Sequence, residues 1–184
     1  MHCFDLVDRM VTPNARVPLE PNYDRHKVTL TEPACADAQA TIFNVPERAI
    51  VVRLDESLTL QRVFRGDLGE CKRSDFLILA ERGPSLVIVH VEMKRAGGKH
   101  AEVVRQLEGS RCFVLYMQAL GKAFSSHKTF LDDARHRFVS IRHARPQKRK
   151  TKITRAGATH DRPDRPMIVS GPNYVHFDKI AGGN

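Results

Sequence analysis

Residues 86–94 read LVIVHVEMK, an apolar run that ends in charge. Successive side chains of a strand point to opposite faces. His90, Glu92 and Lys94 therefore share one face, and Val87, Val89, Val91 and Met93 share the other. A run so continuously apolar reads as a central strand covered on both sides. Glu92 and Lys94 point the same way at its end.

Upstream, SDFLILA (74–80) reads as a second apolar strand opening on Asp75, and the turn-rich ERGPS (81–85) joins the two into a β-hairpin. Downstream, RAGG breaks the strand and KHAEVVRQLEGSRCFVLYMQAL (99–120) follows. Val103, Leu107, Ser110, Val114 and Met117 fall there at steps of four, three, four and three, which predicts a helix with one face on a sheet. Glu102 with Arg105, and Glu108 with Arg111, are expected i,i+3 pairs on its polar face, and Gly121 is expected to end it. AIVVRL (49–54), SLTLQRVF (57–64) and RFVSIRH (137–143) read as further strands, and PMIVSGPNYVHFDKI (166–180) as two short ones around a Gly-Pro turn. The class expected is α/β, with a mixed central sheet flanked by helices.

Residues 11–48 carry Pro13, Pro18, Pro21, Pro33 and Pro46 and sustain no period of 2 or 3.6. Residues 1–48 are therefore expected to form an irregular, Pro-rich N-terminal arm with short structured pieces, followed by a single domain over 49–184. A length of 184 residues suits one core rather than two. No internal repeat is visible.

Thirty Lys and Arg against 21 Asp and Glu give a formal charge of +9, which points to a polyanion as partner. The basic segment 135–165 holds eleven Lys or Arg against Asp161 and Asp164. Its cluster QKRKTK supplies Lys148, Arg149, Lys150 and Lys152 as candidate phosphate contacts. Phe138 is its one aromatic residue, so backbone contact is expected ahead of base stacking. The cysteines at 3, 35, 71 and 112 lie too far apart for a zinc site or a redox CxxC, and read as free thiols of a reducing cytosol. No run of about 18 apolar residues marks a membrane span, so the expected location is cytoplasmic, with no membrane partner.

An acid opening one strand (Asp75), Glu-x-Lys closing the next (Glu92, Met93, Lys94), and a helix bearing Gln106-Leu107 resemble the core of the PD-(D/E)xK nuclease superfamily, the restriction-endonuclease-like fold. The match covers about residues 70–120. Glu70-Cys71-Lys72 also fits Glu-x-Lys as a string, but it sits in a polar, glycine-broken stretch. Ser74 stands where the motif's name has proline.

Phosphodiester hydrolysis needs a nucleophilic water at neutral pH and relief of charge on the phosphate, and a divalent cation between two carboxylates supplies both. Asp75 and Glu92 on neighbouring strands suit Mg2+, or Mn2+, which takes oxygen ligands and keeps several waters. Lys94 could orient the attacking water or stabilise transition-state charge. The resemblance implies in addition the backbone carbonyl of Met93 as a metal ligand, Gln106 as an auxiliary catalytic residue, and an upstream acid. Glu47, Glu56 and Glu70 compete for that last place, with Glu70 preferred for its closeness to Asp75. The resemblance also implies a helix ahead of the sheet, for which the sequence offers no convincing segment.

Plainer readings stand beside these. Asp75 could end a strand in water, and Glu92 with Lys94 could be a surface ion pair of small consequence. Gln106 could lie on a plain polar face, and His90 reads as a hydrogen-bonded core residue. RAGGKH lacks the glycine spacing and hydroxyl of a phosphate-binding loop. Ser125-Ser126-His127 has only sequential proximity, and Asp132-Asp133 reads as a solvated helix end.

The function expected is Mg-dependent endonuclease activity on nucleic acid, DNA ahead of RNA, by a homodimer or with a partner protein. The alternatives are a catalytically silent nucleic-acid-binding module, or a subunit of a larger, defence-type nuclease assembly.

Overall fold

The computed structural model describes residues 2–32, 35–54, 59–95, 98–143, 152–155, 159–171 and 174–182. In chain order its elements are helix α1 (Cys3–Met10), strands β1 (Arg16–Val17), β2 (Glu20–Asn22), β3 (Arg25–Glu32), β4 (Cys35–Val45), β5 (Ala49–Arg53), β6 (Phe76–Arg82) and β7 (Ser85–Arg95), helix α2 (His100–Phe124), strands β8 (Arg135–His143), β9 (Lys152–Arg155), β10 (Met167–Gly171) and β11 (Tyr174–His176), and helix α3 (Phe177–Ile180). The class is α/β. Seven strands form a mixed sheet in the order β1-β5-β6-β7-β8-β10-β9, and four form a second in the order β11-β4-β3-β2. β5, β6 and β7 make an antiparallel meander, β8 runs parallel to β7, and β10 runs parallel to β8.

The alternation expected of β7 is what holds the layers apart. Val87, Val89, Val91 and Met93 belong to a cluster with Val28, Leu30, Ala40 and Ile42 of the second sheet, so that sheet covers one face. Leu86 and Ile88 face the other way, into a cluster with Phe4 and Val7 of α1 and Val114 and Met117 of α2. The large sheet thus has helices on one face and mainly a second sheet on the other. Of α2, the buried residues include Val103, Leu107, Ser110, Val114 and Met117, the five that the spacing selects.

Several expectations are corrected. Residues 25–32 and 35–45 form the long strands β3 and β4 rather than irregular chain. Pro21 sits in the outermost strand β2, where a missing N–H is tolerated, which is why prolines here do not abolish the sheet. Within 57–64, expected as a strand, Leu60–Arg62 form a short 3-10 turn. α2 does not stop at Gly121. It continues to Phe124, and Gly121 makes room for the Phe130 ring, which a Cβ would approach to 2.1 Å. The segment 166–180 yields β10 and β11, but they lie in different sheets and its end is the short helix α3.

α1, for which the sequence gives only weak signals, is an eight-residue helix. The His2 N–H donates to Asp5 Oδ2 at 3.2 Å, and Phe4, Leu6 and Val7 are buried. Asp5 and Glu81 share Arg48, which ties the helix to the start of the meander.

The loop ahead of β6 lies hard against α2. A Cβ at Gly109 would meet the Lys72 carbonyl oxygen at 1.7 Å. Gly to Ala ordinarily favours a helix by about 1 kcal/mol. Gly109→Ala is expected to do the opposite, because the clash is with backbone, costing roughly 1–3 kcal/mol and lowering the melting temperature by several degrees. A thermal melt that rises or stays unchanged would contradict this close approach.

Candidate active site

In the β6–β7 register Phe76 pairs with Val91 and Leu77 with His90. Continuing one pair beyond the end of β6 sets Asp75 opposite Glu92, on the face that also carries Leu77 and Ile88, the face toward the helices. Two backbone bonds hold the Asp75 position. Its carbonyl accepts the Leu54 N–H at 2.9 Å, and its carboxylate Oδ2 accepts the Met93 N–H at 2.6 Å. The N–H and C=O of one strand residue point the same way, so the Met93 carbonyl is directed to the Asp75 side, where pairing with β6 has ended.

α2 passes over this face in step with β7. His90 Nδ1 lies 2.8 Å from Ser110 Oγ, and Lys94 Nζ lies 3.6 Å from Glu102 Oε1. Four strand residues therefore match eight helix residues running the opposite way. Two strand residues rise about 6.6 Å and four helix residues about 6.0 Å. The two spacings nearly agree, so Glu102, Gln106 and Ser110 sit over Lys94, Glu92 and His90 in turn. Gln106 is brought to Glu92 by this match.

On the other side Glu92 is the register partner of Ser140 on β8, and Lys94 that of Arg142. Glu92 and Ser140 are both fully buried. Neither Glu92 carboxylate oxygen, nor Gln106 Oε1, nor Ser140 Oγ has a hydrogen-bond partner. Lys94 Nζ comes to 3.1 Å of Glu92 Oε1, an ion-pair distance without hydrogen-bond alignment. Buried oxygens without a hydrogen-bond partner are costly in a folded protein. Those of Glu92, with the Asp75 carboxylate on the neighbouring strand, are of the donor type a hard cation takes, so the residues present fit a divalent ion.

Electrostatics agree with that geometry. Burial pushes the Glu92 carboxyl up to about 9, the Asp75 carboxylate adds to the rise, and Lys94 only partly opposes it. Burial works to lower the Lys94 ammonium, but the carboxylates of Glu92, Glu102 and Asp75 outweigh it and hold Lys94 above its ordinary range. His90 is pushed well down by burial and by neighbouring His136 and Arg111. It bonds Ser110 and His136 and stacks on Phe138 with centroids 4.5 Å apart, as a core histidine should.

Other candidates stand as follows. The Glu70 carboxylate accepts the N–H groups of Gly66 at 2.8 Å and Leu68 at 3.0 Å, which lower its pKa and engage it within its own loop. Glu47 is exposed, ahead of β5. Glu56, Lys148, Arg149 and Lys150 lie outside the described residues, and Lys152 is described only as the first residue of β9. Among the described residues no set of three or more His, Cys, Asp and Glu is gathered for a metal, so Asp75 and Glu92 stand as a pair. Of the expected helix pairs, Glu108–Arg111 forms at 2.5 Å, while Glu102 turns to Lys94 instead of Arg105. Glu102 and Ser140 are residues that the sequence did not single out. The i, i+4, i+8 spacing of Glu102, Gln106 and Ser110 was the signal available for the first.

Cys3, Cys71 and Cys112 are free thiols, and no helix among the described residues is long and apolar enough to cross a membrane. No protein-family model, curated protein or solved structure matches the chain.

A carboxyl near 9 when folded and 4.5 when unfolded binds more protons in the folded state between those values. Stability is therefore greatest at the acid end and falls as pH rises toward 9, by at most about 1.4 kcal/mol per pH unit. Thermal melts in chelator from pH 5 to 9 should show this decline in the wild type. Glu92→Gln, which stays neutral, should flatten it and melt above the wild type at pH 8. Parallel profiles for the two proteins would contradict the burial of an uncompensated carboxyl.

Proposed function

We propose that the protein is a metal-dependent nuclease that hydrolyses phosphodiester bonds in nucleic acid, DNA ahead of RNA, at the end of β6 and β7. One observation carries this reading: Asp75 and Glu92 face each other across adjacent strands beside Lys94, with both Glu92 oxygens buried and unbonded. The chain order adds support. A helix, a meander bearing Asp and Glu-x-Lys, a helix bearing Gln106 and a strand parallel to the meander's last member are in keeping with a restriction-endonuclease-like core.

Asp75 and Glu92 would hold Mg2+ or Mn2+, with the Met93 carbonyl directed to the same side. Such a cation supplies a water of lowered pKa and neutralises charge growing on the phosphate. The residues of the chain do the rest. Asp75 is fixed by the Met93 N–H, so its carboxylate is oriented before anything binds. Glu92 is protonated when alone, and it would have to be ionised to hold a cation. Glu92 at 3.1 Å and Glu102 at 3.6 Å keep the Lys94 ammonium at the mouth. There Lys94 can donate to the attacking water or to a phosphate oxygen. Gln106, over Glu92, contacts the phosphate or orients the lysine.

The net charge of +9 favours a polyanionic substrate. The free thiols are in keeping with a reducing cytoplasm. Action as a homodimer or with a partner protein is part of the same proposal, since so short a chain spares little for specificity.

Cleavage of single- and double-stranded DNA and RNA should appear with Mg2+ or Mn2+ and vanish with chelator. Asp75→Ala, Glu92→Ala and Lys94→Ala should each lose roughly a hundredfold or more while still melting cooperatively. A folded wild type that binds nucleic acid but never cleaves it with either metal, alone or as a dimer, would overturn the enzyme and leave a binding module.

A further inference from the structure

Lys94 is the cation the motif selects, and Glu102 already shares its charge at the mouth. A phosphate entering beside it needs a second positive group. β8 provides one. In the parallel β7–β8 register Lys94 pairs with Arg142, one alternation beyond the Glu92–Ser140 pair. Phe138 packs with Val103 and Leu107 on the α2 side of the sheet. Ser140 and Arg142, at steps of two from it, share that face. The carboxylates therefore occupy one row of the sheet, and Lys94 with Arg142 the next row outward, roughly 6.6 Å on and about 4.8 Å apart between strands.

Arg48 holds Asp5 and Glu81, Arg111 holds Glu108, and Arg162 holds Asp164, while the exposed Arg62, Arg65 and Arg105 hold no acidic partner among the described residues. Arg142 is partly buried and makes no hydrogen bond, ion pair or ring contact among the described residues. A guanidinium is the side chain whose planar fork best matches two phosphate oxygens.

Resting on the nuclease reading, we infer that Arg142 is a substrate-binding residue, which grips a backbone phosphate of the nucleic acid beside Lys94 at the mouth of the site. The grip is on phosphate and carries no base preference. It sets where the strand lies relative to the Asp75–Glu92 pair. Arg142 lies outside the QKRKTK cluster, so its contribution is separate from that of Lys148, Arg149 and Lys150.

The test compares wild type, Arg142→Ala, Arg142→Gln and Arg142→Lys, each checked by thermal melt. Binding of a fluorescent oligonucleotide in chelator is titrated from 50 to 200 mM salt, and cleavage kinetics are measured with Mg2+ on the substrate that the wild type cleaves. Removing the charge should weaken binding about tenfold, raise KM correspondingly and reduce the slope of log affinity against log salt by about 1. Arg142→Lys should restore the slope but only part of the affinity, because an ammonium lacks the fork. Arg142→Gln decides the matter if the Ala protein does not fold. A folded neutral variant with wild-type affinity, KM and slope, whatever its kcat, overturns the role of Arg142 and leaves the nuclease reading standing. A wild type that neither binds nor cleaves nucleic acid overturns both.

Discussion

Burial of β7 on both faces is the constraint from which the rest of the molecule follows. One set of its side chains must meet the second sheet and the other must meet α2, so a slip of one residue would exchange valines for charged groups. The strand can tolerate polar residues on the helix side only where something answers them. Ser110 and His136 answer His90. Lys94 approaches Glu92 from one side only, and its remaining oxygen has no partner. Glu92 is the fully buried carboxylate among the described residues whose two oxygens both lack a hydrogen bond, and such exceptions mark function more often than error.

The near match of helix and strand rise gives the site its second dimension. Because four residues of α2 advance almost as far as two of β7, a single helix stripe can address three successive strand positions. The same stripe grades from partly buried Glu102 to fully buried Ser110. Chemistry at the mouth and packing in the interior are thus two ends of one contact, and the Gly109 approach to the preceding loop fixes the helix from its outer side.

Much of this was legible in the sequence, for identifiable reasons. The hairpin, the period of α2 and the shared face of His90, Glu92 and Lys94 follow from alternation alone, and those elements are long enough for the period to show. The strands β3 and β4 were obscured because their flanks carry proline and because Asn44, with φ of 59°, departs from regular strand geometry within β4. SLTLQRVF alternates as a strand should, yet Leu60–Arg62 within it form a 3-10 turn, and local pattern yields to context. α1 is too short for its period to register, and its stability comes from docking rather than propensity. Ser140 and Arg142 are ordinary residues until β8 lies parallel to β7. Parallel pairing across an intervening helix leaves no local signal, so no spacing rule could have picked them out.

The buried histidine pair has a consequence for the field around Glu92. The Leu107 carbonyl can only accept, so Ser110 spends its one proton there at 2.8 Å and must accept from His90 Nδ1. His90 then has a bare Nε2, which accepts from His136 Nδ1–H at 2.9 Å. Proton order along the whole relay is dictated by one peptide oxygen, and both rings stay neutral, as their lowered pKa values require. The interior behind Glu92 is therefore electrically quiet. The charges that act on its carboxyl, those of Asp75, Lys94 and Glu102, all stand at the open end. Burial holds this acid protonated, and the charges that adjust that setting all lie on the solvent side.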